Sequence, residues 1–188
     1  MDEGKGFPQR RTGDLHKGRI SLSQARYFIT CSVEDRRPVL ANCCAALTGA
    51  IDQLKDNMDC VVRCGTIMPD HLHLVIVLGE HLSVGQVVGK MKTLTRRALA
   101  EAGARWQRDF FEHRLRPEEG IDPYARYVFL NAYRAGLVSR TEQWPHWFCD
   151  DQAKFDFGKF LDGSGCPPVE WLECDLARLG LQASAVGE

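Results

Sequence analysis

No apolar run in the chain reaches the roughly 18 residues that a membrane-spanning helix needs, and its start, "MDEGKGFPQRRTGDLHKGR", has no apolar core of the kind a secretory signal carries. A soluble, cytoplasmic protein is the expectation, without membrane association. Nor is there a C-x-x-C pair among the eight cysteines; Cys43-Cys44 and Cys60-x-x-x-Cys64 come nearest. That spacing argues against a structural zinc protein, and the thiols read as reduced residues of the core or bystanders. Strong charge of either sign is missing as well. The formal net charge is −1, so a polyanionic partner has to be met by a local basic patch and not by a global field.

What the 188 residues do contain is enough apolar material, 44%, for one core. A polar, Gly-rich arm (1–25) precedes a domain over 26–148, and a tail follows over 149–188. "ARYFITCSV" (25–33) reads as a strand and 39–57 as a helix. Residues 59–68 are a second strand, broken by Pro69-Asp70, and "HLHLVIVLG" a third, joined to it as a hairpin. Residues 83–103 are an amphipathic helix. Its stripe is Val84, Val87, Val88, Met91, Leu94, Ala98 and Leu99, with Ser83 as N-cap and Gly103 as stop. A fourth strand over 106–116 precedes a last helix over 122–140, with Asp122 as its cap, Pro123 in its first turn and Gly136 near its end. This order, β-α-β-β-α-β-α, predicts an α+β domain of the ferredoxin-like, split βαβ kind, with a central antiparallel sheet and helices on one face.

The third strand carries two histidines one residue apart. Side chains alternate along a strand, so His71 and His73 share a face while Leu72, Leu74 and Ile76 take the other. Two neighbouring imidazoles suit one divalent cation or one phosphate, and equally suit an ordinary solvent-facing strand. On the last helix Tyr127 and Asn131 are one turn apart on one face, and Arg134 extends the line. An amide oxygen suits magnesium or manganese. A phenol is a nucleophile once its anion is stabilised, or simply a packing residue. His113 and Arg114, on the fourth strand, fit a DNA contact or packing.

Three ordered segments, "MPDHLHLVIVL", "WQRDFFEHRLR" and "YVFLNAYRAGLV", resemble the single-tyrosine HUH transposases of the IS200 type, and most of all the REP-associated tyrosine branch. The likeness runs over about residues 17–148. This chain has Asp70 where the family commonly has Asn, and Ala132-Tyr133 where it commonly has Pro-Val. The opening "KGRISLSQARYFIT" is similar to that branch's Gly-Arg-x-Ser motif, here Gly18, Arg19 and Ser21. The resemblance implies that His71, His73 and Asn131 hold Mg²⁺ or Mn²⁺ and that Tyr127 is the nucleophile. It implies cleavage of single-stranded DNA beside a hairpin through a 5′-phosphotyrosine, by a monomer or homodimer. Candidate DNA contacts are Gly18, Arg19 and Ser21 of the arm, Lys90, Lys92, Arg96 and Arg97 of the 83–103 helix, and Arg114. Rival readings are a non-catalytic hairpin-binding protein of transposase descent and a metal-dependent phosphodiesterase that uses water in place of Tyr127.

Overall fold

The computed structural model describes residues 21–150 and 155–173. Five antiparallel strands form one sheet: β1 (Arg26–Ser32), β2 (Cys60–Ile67), β3 (His71–Leu78), β4 (Phe111–Arg114) and β5 (Trp147–Cys149), in the order β4-β1-β3-β2-β5. The helices are α1 (Cys44–Asp56), α2 (Val84–Glu101), α3 (Asp122–Arg134) and a short α4 (Glu170–Glu173). No described helix is long and apolar enough to cross a membrane.

The expected α+β architecture is present, with one difference in layering. Tyr27, Ile29 and Cys31 of β1 and Leu72, Leu74, Ile76 and Leu78 of β3 are buried with α1 and α2. Their alternates Phe28 and Val75, with Cys64 of β2, are buried with α3. Helices therefore cover both faces instead of one. The sheet's second face carries its own apolar residues, which need a cover, and α3 provides it.

Local chemistry explains most element boundaries. α1 buries Leu47, Ala50, Ile51 and Leu54, the spacing of one helical face. α2 begins in a capping box, with the Ser83 hydroxyl accepting from Gln86 N–H and the Gln86 side chain accepting from Ser83 N–H. Its stripe differs from the expected one at Leu94, which is exposed, while Thr95 is buried and accepts a 2.8 Å hydrogen bond from Trp106 Nε1. β2 and β3 meet in a hairpin across Pro69-Asp70, as the sequence predicts. A bulge at Arg63 shifts the alternation of β2, so that Val62 faces α1 and α2 while Cys64 and Thr66 face α3. At Gly65 a Cβ would come within 2.5 Å of the Phe148 ring and 2.8 Å of the His73 carbonyl oxygen; only glycine lets β5 close here.

β4 is shorter than the 106–116 reading. Trp106 forms a separate bridge to Val33. Lys92 Nζ donates to the carbonyls of Gln107, Arg108 and Asp109, which bends that stretch away from strand geometry. α3 ends six residues before the predicted limit, because Gly136 takes φ +66° and closes a Schellman turn with Leu137 N–H on the Ala132 carbonyl. Asp122 does not cap its own helix, whose N-cap is Ile121. Its carboxylate accepts from the backbone N–H groups of Asp156 and Phe157 instead. β5 crosses the expected 148/149 boundary, and Phe157 is buried against α3, so part of the tail belongs to the domain.

Candidate active site

The polar face of β3 ends at the α3 side of the sheet, and there the two histidines meet. His73 Nε2 lies 3.1 Å from His71 Nε2, with the rings nearly perpendicular and 4.6 Å apart. Both residues are buried, His73 to 2% exposure. Each Nδ1 has its own partner: Asp70 Oδ1 at 2.6 Å for His71, and Thr30 Oγ1 at 2.8 Å for His73. A carboxylate only accepts, so His71 Nδ1 carries a proton, and in the neutral ring its Nε2 presents a lone pair. A threonine hydroxyl accepts or donates, so His73 can do the same.

This donor set fits a divalent cation. Two ligands at right angles and about 2.1 Å from one ion are about 3 Å apart, the separation the two Nε2 atoms already have. Outer Nδ1 hydrogen bonds to a carboxylate and a hydroxyl are what orient ligating imidazoles. Beside His73, across the β2–β3 ladder, Thr66 Oγ1 is buried with no hydrogen-bond partner among the described residues, one more polar atom than a dry core would hold.

Tyr127 stands over the same face. Its ring centroid is 5.6 Å from that of His73, and Phe28 packs against both rings, 5.4 Å from His73 and 5.7 Å from Tyr127, so that the three form a triangle. Tyr127 is raised above the ordinary phenol pKa by burial; a hydrogen bond from the Asn131 side chain and the nearby Arg134 charge work against that rise. Burial holds His73 well below the usual imidazole range, helped by the charges of His71 and Arg36, so its ring is neutral. For Asp70 burial pulls upward, but the His71 hydrogen bond and charge, with Arg36, leave its carboxyl below the usual value.

The remaining sequence-predicted residues are not gathered here. Gly18 and Arg19 lie outside the described residues. Ser21 Oγ accepts from Val84 N–H at the start of α2. Lys90 is paired with Asp59 at 2.5 Å, Lys92 is held by three carbonyls, and Arg97 pairs with Glu101. Arg96 is exposed on α2, which covers the sheet face opposite the histidines. Arg114 is exposed on the edge strand β4. His113 stacks on Tyr124 at 5.5 Å and shares Glu119 with the Tyr124 hydroxyl, bracing the first turn of α3 against β4. Thr30, Phe28 and Arg36 escaped the sequence reading: Thr30 is opposite His73 and Phe28 opposite Val75 once the strands are paired, and Arg36 reaches Asp70 from the turn after β1.

Comparison with known proteins gives three findings. The family model described as "Transposase IS200 like" matches residues 21–115, a span that includes both histidines and stops before α3. A REP-associated tyrosine transposase of Haemophilus influenzae is 26% identical over 136 residues, 64% of this chain and 77% of that protein. A solved structure of a REP-associated tyrosine transposase bound to a REP hairpin aligns with a TM-score of 0.58 at 22% identity, over 69% of this chain and 79% of that one. This last likeness shows a shared fold.

Proposed function

The chain belongs to the IS200-like transposase family, and from that premise we propose that it cuts and rejoins single-stranded DNA next to a hairpin, with Tyr127 as nucleophile and a divalent cation on His71, His73 and Asn131. One observation carries the reading: a phenol and two convergent imidazole nitrogens, supplied by α3 and β3, occupy one buried patch of the sheet. The relative whose structure is described as bound to a REP hairpin supports a hairpin as the substrate class.

In this reading the phenolic oxygen of Tyr127 attacks the scissile phosphorus in line with the departing 3′ oxygen. A phosphotyrosine bond forms, the bond from phosphorus to the 3′ oxygen breaks, the phenol loses its proton and the 3′ oxygen gains one. The phosphodiester energy is kept in the tyrosine ester, so the reverse step reseals a strand without a nucleotide cofactor. Asn131 and Arg134 favour the phenolate. Asn131, one helical turn from Tyr127, would offer its amide oxygen to a cation while its nitrogen remains free to donate to the phenolate. A bound Mg²⁺ or Mn²⁺ would supply positive charge to offset the charge developing on phosphate oxygens. His71 and His73, fixed through Nδ1, would hold that charge in place. Phe28 keeps water from the buried side of Tyr127.

The test is incubation of the full chain with a labelled hairpin oligonucleotide carrying a single-stranded flank, with Mn²⁺, read on a denaturing gel. A covalent protein–DNA band that vanishes in Tyr127→Phe and in chelator is expected. A free 5′ phosphate without adduct points to water as nucleophile. Hairpin binding without either product identifies a binding protein of transposase descent. An undiminished adduct in Tyr127→Phe excludes this tyrosine.

A further inference from the structure

The turn between β2 and β3 places an aspartate directly before the first histidine, and the structure gives it two partners. Asp70 Oδ1 accepts from His71 Nδ1 at 2.6 Å, and Asp70 Oδ2 accepts from Arg36 Nε at 2.8 Å. Arg36 Nη1 then donates to Ser32 Oγ at 3.0 Å, and Ser32 is the cross-strand partner of His71. The circuit closes on itself around the hairpin tip.

The backbone is shaped to make this circuit. Asp35 and Arg36 hold φ of 55° and 52°, the left-handed region that non-glycine residues adopt at a cost. The short turn they form, Glu34–Arg36, follows β1 directly. Val33 N–H donates to the Asp70 carbonyl and Leu40 N–H to the Pro69 carbonyl, both at 2.8 Å, which pins the tip from both sides. Without this bend the Arg36 side chain would run away from the hairpin. Strain kept in two consecutive residues beside a half-buried ion pair marks a place where position matters.

We propose that Asp70, held by Arg36, is a positioning residue for divalent-cation binding. It locks His71 as the Nδ1–H tautomer, aims its Nε2 beside that of His73, and strengthens that nitrogen as a donor through the negative charge behind it. The inference rests on the cation reading above and adds to it the device that sets the affinity. The carboxylate contributes in two separable ways. As an acceptor it fixes the ring, which an amide oxygen does equally well. As an anion it makes the imidazole a stronger donor, which an amide does not. Arg36 serves the first role more than the second, since it orients the carboxylate while offsetting part of its charge.

The experiment is titration of the full chain with Mn²⁺, without DNA, following the electron paramagnetic resonance signal of the free ion. Nitrogen-15 shifts of the His71 ring, recorded on the cation-free chain, report the tautomer independently. Asp70→Ala is expected to weaken Mn²⁺ binding by about ten- to a hundredfold and to mix the His71 tautomers. Asp70→Asn should recover the single tautomer and part of the affinity, and Arg36→Met should lie between it and the unsubstituted chain. Should Asp70→Ala fail to fold by circular dichroism, Asp70→Asn and Arg36→Met carry the comparison. Mn²⁺ affinity within twofold of the unsubstituted chain in every folded variant overturns the inference and leaves the cation reading intact. No Mn²⁺ binding by the unsubstituted chain, or undiminished binding in the His71→Ala, His73→Ala double variant, overturns both.

Discussion

Successive residues of β3 differ in chemistry far more than in burial. Leu72, Leu74 and Ile76 point to α1 and α2 at 3% exposure or less, and His73, between two of them, points to α3 at 2%. The first set belongs to the apolar cluster with α1 and α2 and contributes packing. The second reaches a hydroxyl, a second imidazole and, through Asp70, a carboxylate and a guanidinium. Exposure alone does not separate a core from a buried site. What separates them is whether polar atoms that folding must desolvate are given partners that leave a set of lone pairs convergent.

Two substitutions at adjacent positions break the comparison most sharply. His73→Leu places an apolar side chain of similar size among Phe28, Tyr127 and Val75. The adduct on a hairpin oligonucleotide should fall by more than about a hundredfold on a gel, since loss of an orienting partner alone already costs ten- to a hundredfold, while the urea midpoint holds or rises. Leu74→Ala does the reverse. It opens a cavity in the α1–α2 core and should cost about 2–5 kcal/mol in urea unfolding, with the adduct yield per folded molecule unchanged. If His73→Leu unfolds the chain and Leu74→Ala removes the adduct, the two faces are not functionally distinct.

A third way to sharpen the contrast uses pH. Burial holds His73 below its ordinary value of 6.5 in the folded chain. Such a group contributes stability above that value and loses it as pH falls beneath it, because the unfolded chain then binds the proton more readily. In chelator, stability should therefore decline below about pH 6.5 by up to about 1.4 kcal/mol per pH unit from this one group. His73→Gln should flatten the slope by that amount. The leucines on the other face predict no change: the profile of Leu74→Ala should run parallel to that of the unsubstituted chain, only lower.

How much of this was legible in the sequence follows from how local each signal is. The β-α-β-β-α-β order, the hairpin at Pro69-Asp70 and the shared face of His71 and His73 depend on neighbours within a few residues, and the structure has them. The capping of α2 by Ser83 and its stop at Gly103 are local in the same sense, whereas the 122–140 reading ran past the turn that Gly136 makes. The side on which α3 packs is not local. It depends on Phe28, Cys64 and Val75 jointly making a second apolar face, and the bulge at Arg63 hides Cys64 from simple alternation. β5 is three residues within an aromatic stretch, too short for a period to show. Tyr127 and Asn131 were visible as a helical pair, whereas Thr30 reaches His73 only through strand pairing and Arg36 reaches Asp70 only through the turn after β1. Asp70 was visible as a departure from the family's usual residue, but its grip on His71 and Arg36 is a matter of geometry.

The smallest effect expected lies on the far face, and it bears on how DNA is held. α2 presents basic residues of two kinds. Lys92 is tied to three backbone carbonyls of the loop before β4, whereas Arg97 is exposed and pairs with Glu101 along the helix. Lys92→Met should cost about 1 kcal/mol in unfolding, because three loop carbonyls, two of them exposed, lose their donor. Arg97→Ala should leave the melting temperature unchanged, since an exposed ion pair along a helix contributes almost nothing. If the α2 surface meets phosphates, Arg97→Ala should lower the slope of log affinity against log salt for hairpin binding by about one. An unchanged slope takes α2 off the DNA-binding surface and leaves strand recognition to the histidine face and the β4 edge, where Arg114 stands. The two faces of the sheet would then divide cleanly, one for stability and one for DNA.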